Sequence, residues 1–147
     1  MNKKKVLSWV LLISWLLVIF LFSSQTGPES SNVSNGILKI IEDITFIPLT
    51  SDIASFVIRK LAHFTEYAIL GVLCANLLNA YQKLTIKNLI WIFLFCVLYA
   101  SSDEFHQMFV GGRAPRIFDV VIDSCGSAVG ILCYFQVYSI KKRKHKQ

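Results

Sequence analysis

VLSWVLLISWLLVIFLF, Val6 to Phe22, decides the fold. It is an apolar run lying directly behind Lys3, Lys4 and Lys5. A helix rises about 1.5 Å per residue, so about 20 mostly apolar residues cross a hydrocarbon core. A cleaved signal peptide would carry an apolar region of only about 7–15 residues before a small-residue cleavage site. Here the run is longer, and Ser23-Ser24-Gln25 is a poor cleavage site, so the segment reads as a transmembrane helix.

Outward from that stretch, the same test finds further spans at about residues 55–78, 87–102 and 117–140, after the first at about 6–22. Gln25 to Asn32, rich in Ser, Gly and Pro, reads as a turn and loop. Val33, Ile37, Ile40, Ile41 and Ile44 then recur at helical spacing, with Asn35, Lys39, Glu42 and Asp43 elsewhere on the wheel. That pattern predicts a short amphipathic helix at the interface or against the bundle, ended by Pro48. Thr50, Ser51 and Asp52 suit the cap of the next helix. Asn79 to Lys87 and Gly111 to Arg116 read as polar turns. The expected fold is all-α: four transmembrane helices plus a short extracytoplasmic interfacial helix, forming one membrane domain over residues 1–147.

Bulk composition agrees. Of the 147 residues, 54% are hydrophobic and 16% charged, against about 25% charged in a soluble domain. The net charge of +6 comes mostly from Lys3 to Lys5 and Lys141 to Lys146, clusters that set orientation and touch anionic lipid. No aromatic-interleaved basic face exists outside these tails, which argues against nucleic-acid binding. Cys74, Cys96, Cys125 and Cys133 all fall in apolar runs without a C-x-x-C pair, so they read as buried free thiols.

Orientation follows from Lys and Arg alone. With the amino terminus inside, Lys3, Lys4, Lys5, Lys83, Lys87, Lys141, Lys142, Arg143, Lys144 and Lys146 are cytoplasmic. Lys39, Arg59, Lys60, Arg113 and Arg116 fall outside. The larger basic group should stay inside, so both termini are expected in the cytoplasm of a bacterial plasma-membrane protein.

Ionisable residues within spans cost about 2.5–3.5 kcal/mol each at a helix centre, so those present need a reason. Residues three or four apart share a helix face, which aligns Arg59, His63 and Glu66 on the second span. Asp103, His106 and Gln107 align at the end of the third, and Asp119 and Asp123 on the fourth, above Gly126 and Gly130. Helical rise puts Glu66 about 10 Å below Arg59 and Asp123 about 9 Å below Ile117, at similar depth. Three helices thus aim polar faces at one outward-opening pocket. Gly126-x-x-x-Gly130 would let the fourth span approach a neighbour closely. A purely structural ion-pair network would show the same near-balance of charge, since intramembrane charges also pair with one another.

Arg59-Lys-Leu-Ala-His63-Phe-Thr-Glu66-Tyr67, Ser102-Asp103-Glu104-Phe-His106-Gln107, Gly112-Arg113 and Asp119-Val-Val-Ile-Asp123 resemble the signature of the VanZ-like family. Phe22-Ser23-Ser24-Gln25 is similar to that family's element after its first helix. The resemblance covers about residues 22–130. It implies an integral membrane protein associated with low-level resistance to teicoplanin-type glycopeptides.

Two classes of function fit these residues. In a binding protein, Arg59, Lys60 and Arg113 would hold an anionic lipid-linked wall precursor or glycopeptide-related ligand, with Asp103, Gln107, Asp119 and Asp123 completing the pocket. In an enzyme acting on a polyprenyl phosphate or wall precursor, His63 or His106 would be the general base, with Glu66 or Glu104 as partner. A divalent-metal variant draws on His63, Glu66, His106 and Asp123, with Glu104 and Asp119 as further oxygen donors. Transport is the weaker reading, because four spans offer little for alternating access without an oligomer.

Overall fold

The computed structural model describes residues 2–46, 52–114 and 116–144. Pro48, Thr50 and Ser51, read above as a helix stop and caps, lie outside the described residues, as do Pro115 and Lys146. The described chain forms α1 (Lys3–Ser23), α2 (Gly27–Thr45), α3 (Asp52–Asn79), α4 (Ile86–Gln107) and α5 (Ile117–Lys144). All but α2 are long and apolar enough to cross a membrane, and the protein is a multi-pass membrane protein.

The spans are longer than the apolar windows. At 28 residues each, α3 and α5 reach about 42 Å, well beyond a hydrocarbon core of about 30 Å. α4 continues past Ser102 to Gln107, because Asp103, Glu104 and Gln107 are buried against neighbouring elements.

One segment differs in kind. Gln25 to Asn32 is not an extended loop: Thr26 caps α2, and the helix begins at Gly27. Thr26 and Glu29 form a reciprocal capping box with Pro28 in the first turn. The Thr26 N–H donates to Glu29 Oε2 at 2.8 Å and its hydroxyl to the same oxygen at 2.7 Å. The residues that looked like turn formers are helix starters. α2 therefore has 19 residues rather than a short stretch from Val33.

Its exposed and buried faces are also reversed from those of a soluble helix. Ser30, Ser34 and Leu38 are buried, whereas Ile40 and Ile44 are 60% and 71% exposed. Ser34 satisfies its own hydroxyl by donating to Ser30 O at 3.0 Å, so a small polar side chain packs inward without an orphaned group. The isoleucines face outward, where lipid is the natural solvent.

α3 and α5 run parallel and make the tightest contact. A Cβ on Gly126 would stand 2.2 Å from Phe64 O, and one on Gly130 1.9 Å from Ala68 O. Gly71 returns the arrangement, its missing Cβ falling 2.5 Å from Ser127 O. Small residues let the backbones touch, which is how helices gain van der Waals contact where lipid offers no hydrophobic drive.

α1 is tied across the bundle by Trp15 Nε1 donating to Glu66 O at 2.9 Å and Tyr99 Oη to Leu16 O at 2.8 Å. Beneath lies a core that includes Ile19, Tyr67, Leu70, Cys96 and Ala100. All four cysteines are free; Cys74 and Cys96 are buried, but Cys125 and Cys133 are exposed rather than buried, on surfaces a bilayer would cover.

Candidate functional site

The polar residues gather at the end of the bundle that carries the α1–α2 and α4–α5 connections. Within one face of α3, Arg59, His63 and Glu66 project toward α4, α5 and the start of α2, and together line a cavity of about 160 Å³. Asp103, Arg113, Ser23, Ser30 and Ser34 complete its polar wall. A second cavity of about 180 Å³ lies beside it, lined by Lys60, Gln107, Arg116 and Asp119. Arg59, His63 and Arg113 border both.

Several of the charges are committed to partners. Lys60 Nζ donates to Asp119 Oδ1 in an ion pair between α3 and α5. Glu104 Oε1 accepts the Arg116 N–H, holding the approach to α5. Arg113 Nε donates to Gln25 O at 2.9 Å and its Nη2 to Phe22 O at 3.1 Å. Arg113 thus satisfies carbonyls at the carboxyl end of α1, where a helix leaves acceptors without intrahelical donors. The loop behind it is pressed onto α2: Gly27 N donates to Gly111 O at 3.1 Å. A Cβ on Gly27 would lie 2.1 Å from Gly112 O, and Gly112 itself has φ +75°. The Phe22-Ser-Ser-Gln25 and Gly112-Arg113 motifs are therefore two halves of one contact.

Arg113 is half-buried, and burial, followed by the positive charge of Arg59, pushes its pKa down. Two guanidinium groups thus border the same space. Among the described residues, no carboxylate forms an ion pair with Arg59.

Deeper in, Asp123 is 1% exposed, and its Oδ1 lies 3.6 Å from His63 Nδ1. That distance is too long for a hydrogen bond. Asp103 Oδ2 accepts from Gln107 Nε2 at 3.3 Å, and Gln107 also donates to Ser23 Oγ at 3.2 Å. Donor atoms of His63, Asp103 and Asp123 all fall within 4.8 Å of one another. His63 Nδ1, Asp123 Oδ1 and the Tyr67 hydroxyl are buried without a hydrogen-bond partner among the described residues.

This group differs from the set that spacing suggested. Asp103 enters, carried on the last turns of α4, which run on to Gln107. Glu66 remains on the wall of the first cavity, and Asp119 and Glu104 are taken by Lys60 and Arg116. His106 lies at α1, its Nε2 3.2 Å from Ser24 Oγ and its ring 4.9 Å from that of Phe20. Asp123 meets α3 at His63, one turn above Glu66. Ser30 and Ser34 escaped the sequence reading, although Thr26-Gly-Pro-Glu29 is a helix-start signal that places both serines on one face.

The chain matches the VanZ/LLP1 family over residues 8–139, a region that contains all of these side chains. No curated protein and no solved structure matches it.

Proposed function

The chain belongs to the VanZ/LLP1 family, and from that membership we propose that it binds an anionic ligand between Arg59 and Arg113 on the outer face of a bacterial plasma membrane. Arg59 carries the reading. It borders both cavities, lacks an ion pair among the described residues, and stands close enough to Arg113 to depress it electrostatically. Two like charges held together in a partly desolvated place favour an anion that bridges them, and guanidinium groups grip phosphate or carboxylate bidentately. Lys60 is set aside by its pair with Asp119, so the ligand's charge falls to the two arginines. The ligand class is a lipid-linked wall precursor or a glycopeptide-related anion, and the role is tolerance of teicoplanin-type glycopeptides.

The test is Arg59→Gln, which removes the charge and keeps much of the stem. Native mass spectrometry of the detergent-purified protein with a polyprenyl phosphate should show binding reduced about tenfold or more, since a charge-assisted bond contributes about 1.5–3 kcal/mol. Membrane levels should be unchanged and teicoplanin tolerance lost. Undiminished polyprenyl phosphate binding by Arg59→Gln would overturn the proposal.

A second reading, an enzyme acting on such a ligand, is favoured by His63 and Glu66 lining the same cavity as Arg59. It requires that a His63 variant bind the ligand and fail to turn it over.

A further inference from the structure

We propose that His63, Asp103 and Asp123 form a site for one divalent transition-metal cation of the Mn²⁺ or Zn²⁺ type. The site does not depend on the anion-binding reading. Its first support is geometry: one donor each from α3, α4 and α5, all within 4.8 Å of one another. The second support is independent of that clustering. His63 Nδ1 and Asp123 Oδ1 are buried and unpartnered, and Asp123 is 1% exposed.

A carboxylate oxygen buried without a donor is expensive, and folded proteins rarely leave one so. The neighbouring fixed cations do not pair with it: Lys60 is bound to Asp119, Arg113 spends two donors on the Phe22 and Gln25 carbonyls, and Arg59 forms no ion pair among the described residues. Direct pairing of His63 with Asp123 leaves a gap of 3.6 Å. That same gap is close to the spacing of two ligands on one cation, since bonds of about 2.1 Å at tetrahedral angles put donor atoms about 3.4 Å apart.

The donor set is one imidazole nitrogen and two carboxylates, without thiol. Such a set suits Mn²⁺, Fe²⁺ or Zn²⁺ rather than a thiophilic ion. Gln107 holds Asp103 Oδ2, which orients the carboxylate. Three protein ligands leave at least one coordination position open. His63 borders both cavities and Asp103 the first.

The test uses the full chain purified in detergent, stripped with a chelator, then dialysed against MnCl₂ or ZnCl₂ and measured by inductively coupled plasma mass spectrometry. Wild type should retain about one equivalent per chain after the excess is removed, and metal should raise its melting temperature. Asp123→Asn and Asp103→Asn should lose the metal and the shift. Asp123→Asn keeps the side chain's shape and removes a buried charge, so the metal-free variant should fold at least as well as metal-free wild type. Should it fail to fold, Gln107→Ala serves as the second variant, with affinity lowered about 10–100-fold through the freed Asp103.

Arg59→Gln separates this proposal from the preceding one. It should keep the full equivalent of metal while losing polyprenyl phosphate. Undiminished polyprenyl phosphate binding by a variant that loads metal would sink the anion reading alone, and a metal-free wild type beside a variant that loses polyprenyl phosphate would sink the metal site alone. Wild type that stays metal-free, or Asp123→Asn and Asp103→Asn that load like wild type, overturns the metal site.

Discussion

Lys60 and Asp119 pair across α3 and α5 with side chains only 15% and 11% exposed. Matching depth and opposite charge on facing spans predict a pair between Arg59 or His63 and Asp119 or Asp123. The structure pairs Lys60 with Asp119 instead, sets His63 Nδ1 3.6 Å from Asp123 Oδ1, and gives Arg59 no ion pair among the described residues. Removing one member of a buried pair leaves the other uncompensated, so Lys60→Met alone should destabilise by up to about 3 kcal/mol. Lys60→Met with Asp119→Leu should recover much of that loss. A double-mutant cycle on thermal stability reads the difference, and additive losses would count against a direct pair. Arg113 is a poorer probe of ligand binding than Arg59, because Arg113→Lys also gives up its forked grip on Gln25 O and Phe22 O. The spacing of Gly112-Arg113 carries no sign of that use. Only the fold brings a loop after α4 to the end of α1.

At the scale of the helix, glycines separate into two kinds. Gly130 has no room for a Cβ beside Ala68 O, whereas Gly36, inside α2, meets nothing within 4 Å. Gly130→Ala should force α3 and α5 apart and lower the melting temperature in detergent. Gly36→Ala should be neutral or stabilising by about 0.5–1 kcal/mol, the ordinary gain of alanine in a helix interior. Equal effects at the two positions would remove the close approach as the explanation. α2 depends likewise on its start. Thr26→Ala should cost about 1 kcal/mol as a lost cap. Its partner Glu29 has its carboxyl held below the usual carboxylate range by hydrogen bonds from Thr26. A depressed pKa means the cap's contribution is present above the unfolded carboxylate pKa and is lost as pH falls through the folded value. Amide exchange in the first turn of α2 should therefore quicken in acid, and Thr26→Ala should flatten that dependence.

For the molecule as a whole, the distribution of Lys and Arg predicts that both ends of the chain lie in the cytoplasm. Cysteines placed at Gly36 and Gly111, in a background lacking the four native ones, should react with an impermeant maleimide on intact cells. A cysteine at Lys83, which is exposed in the α3–α4 turn, should react only after permeabilisation. The opposite pattern would invert the molecule and place the Arg59 cavities on the cytoplasmic side. Much of this architecture could be read directly from residues. Apolar length alone separates the four spans, because a helix in lipid must satisfy its backbone internally and cross a fixed thickness. The i, i+4 spacing of Arg59 with His63 and of Asp119 with Asp123 likewise places polar faces within single helices. What sequence spacing cannot rank is which of several polar groups on different helices become neighbours. That choice depended on the rotation of each helix about its axis, set here by Gly126 and Gly130 seating α5 on α3, and on the length of α4. Those tertiary contacts brought Asp103 to His63 and Asp123, left His106 at Ser24, and laid the serine face of α2 over the cavity.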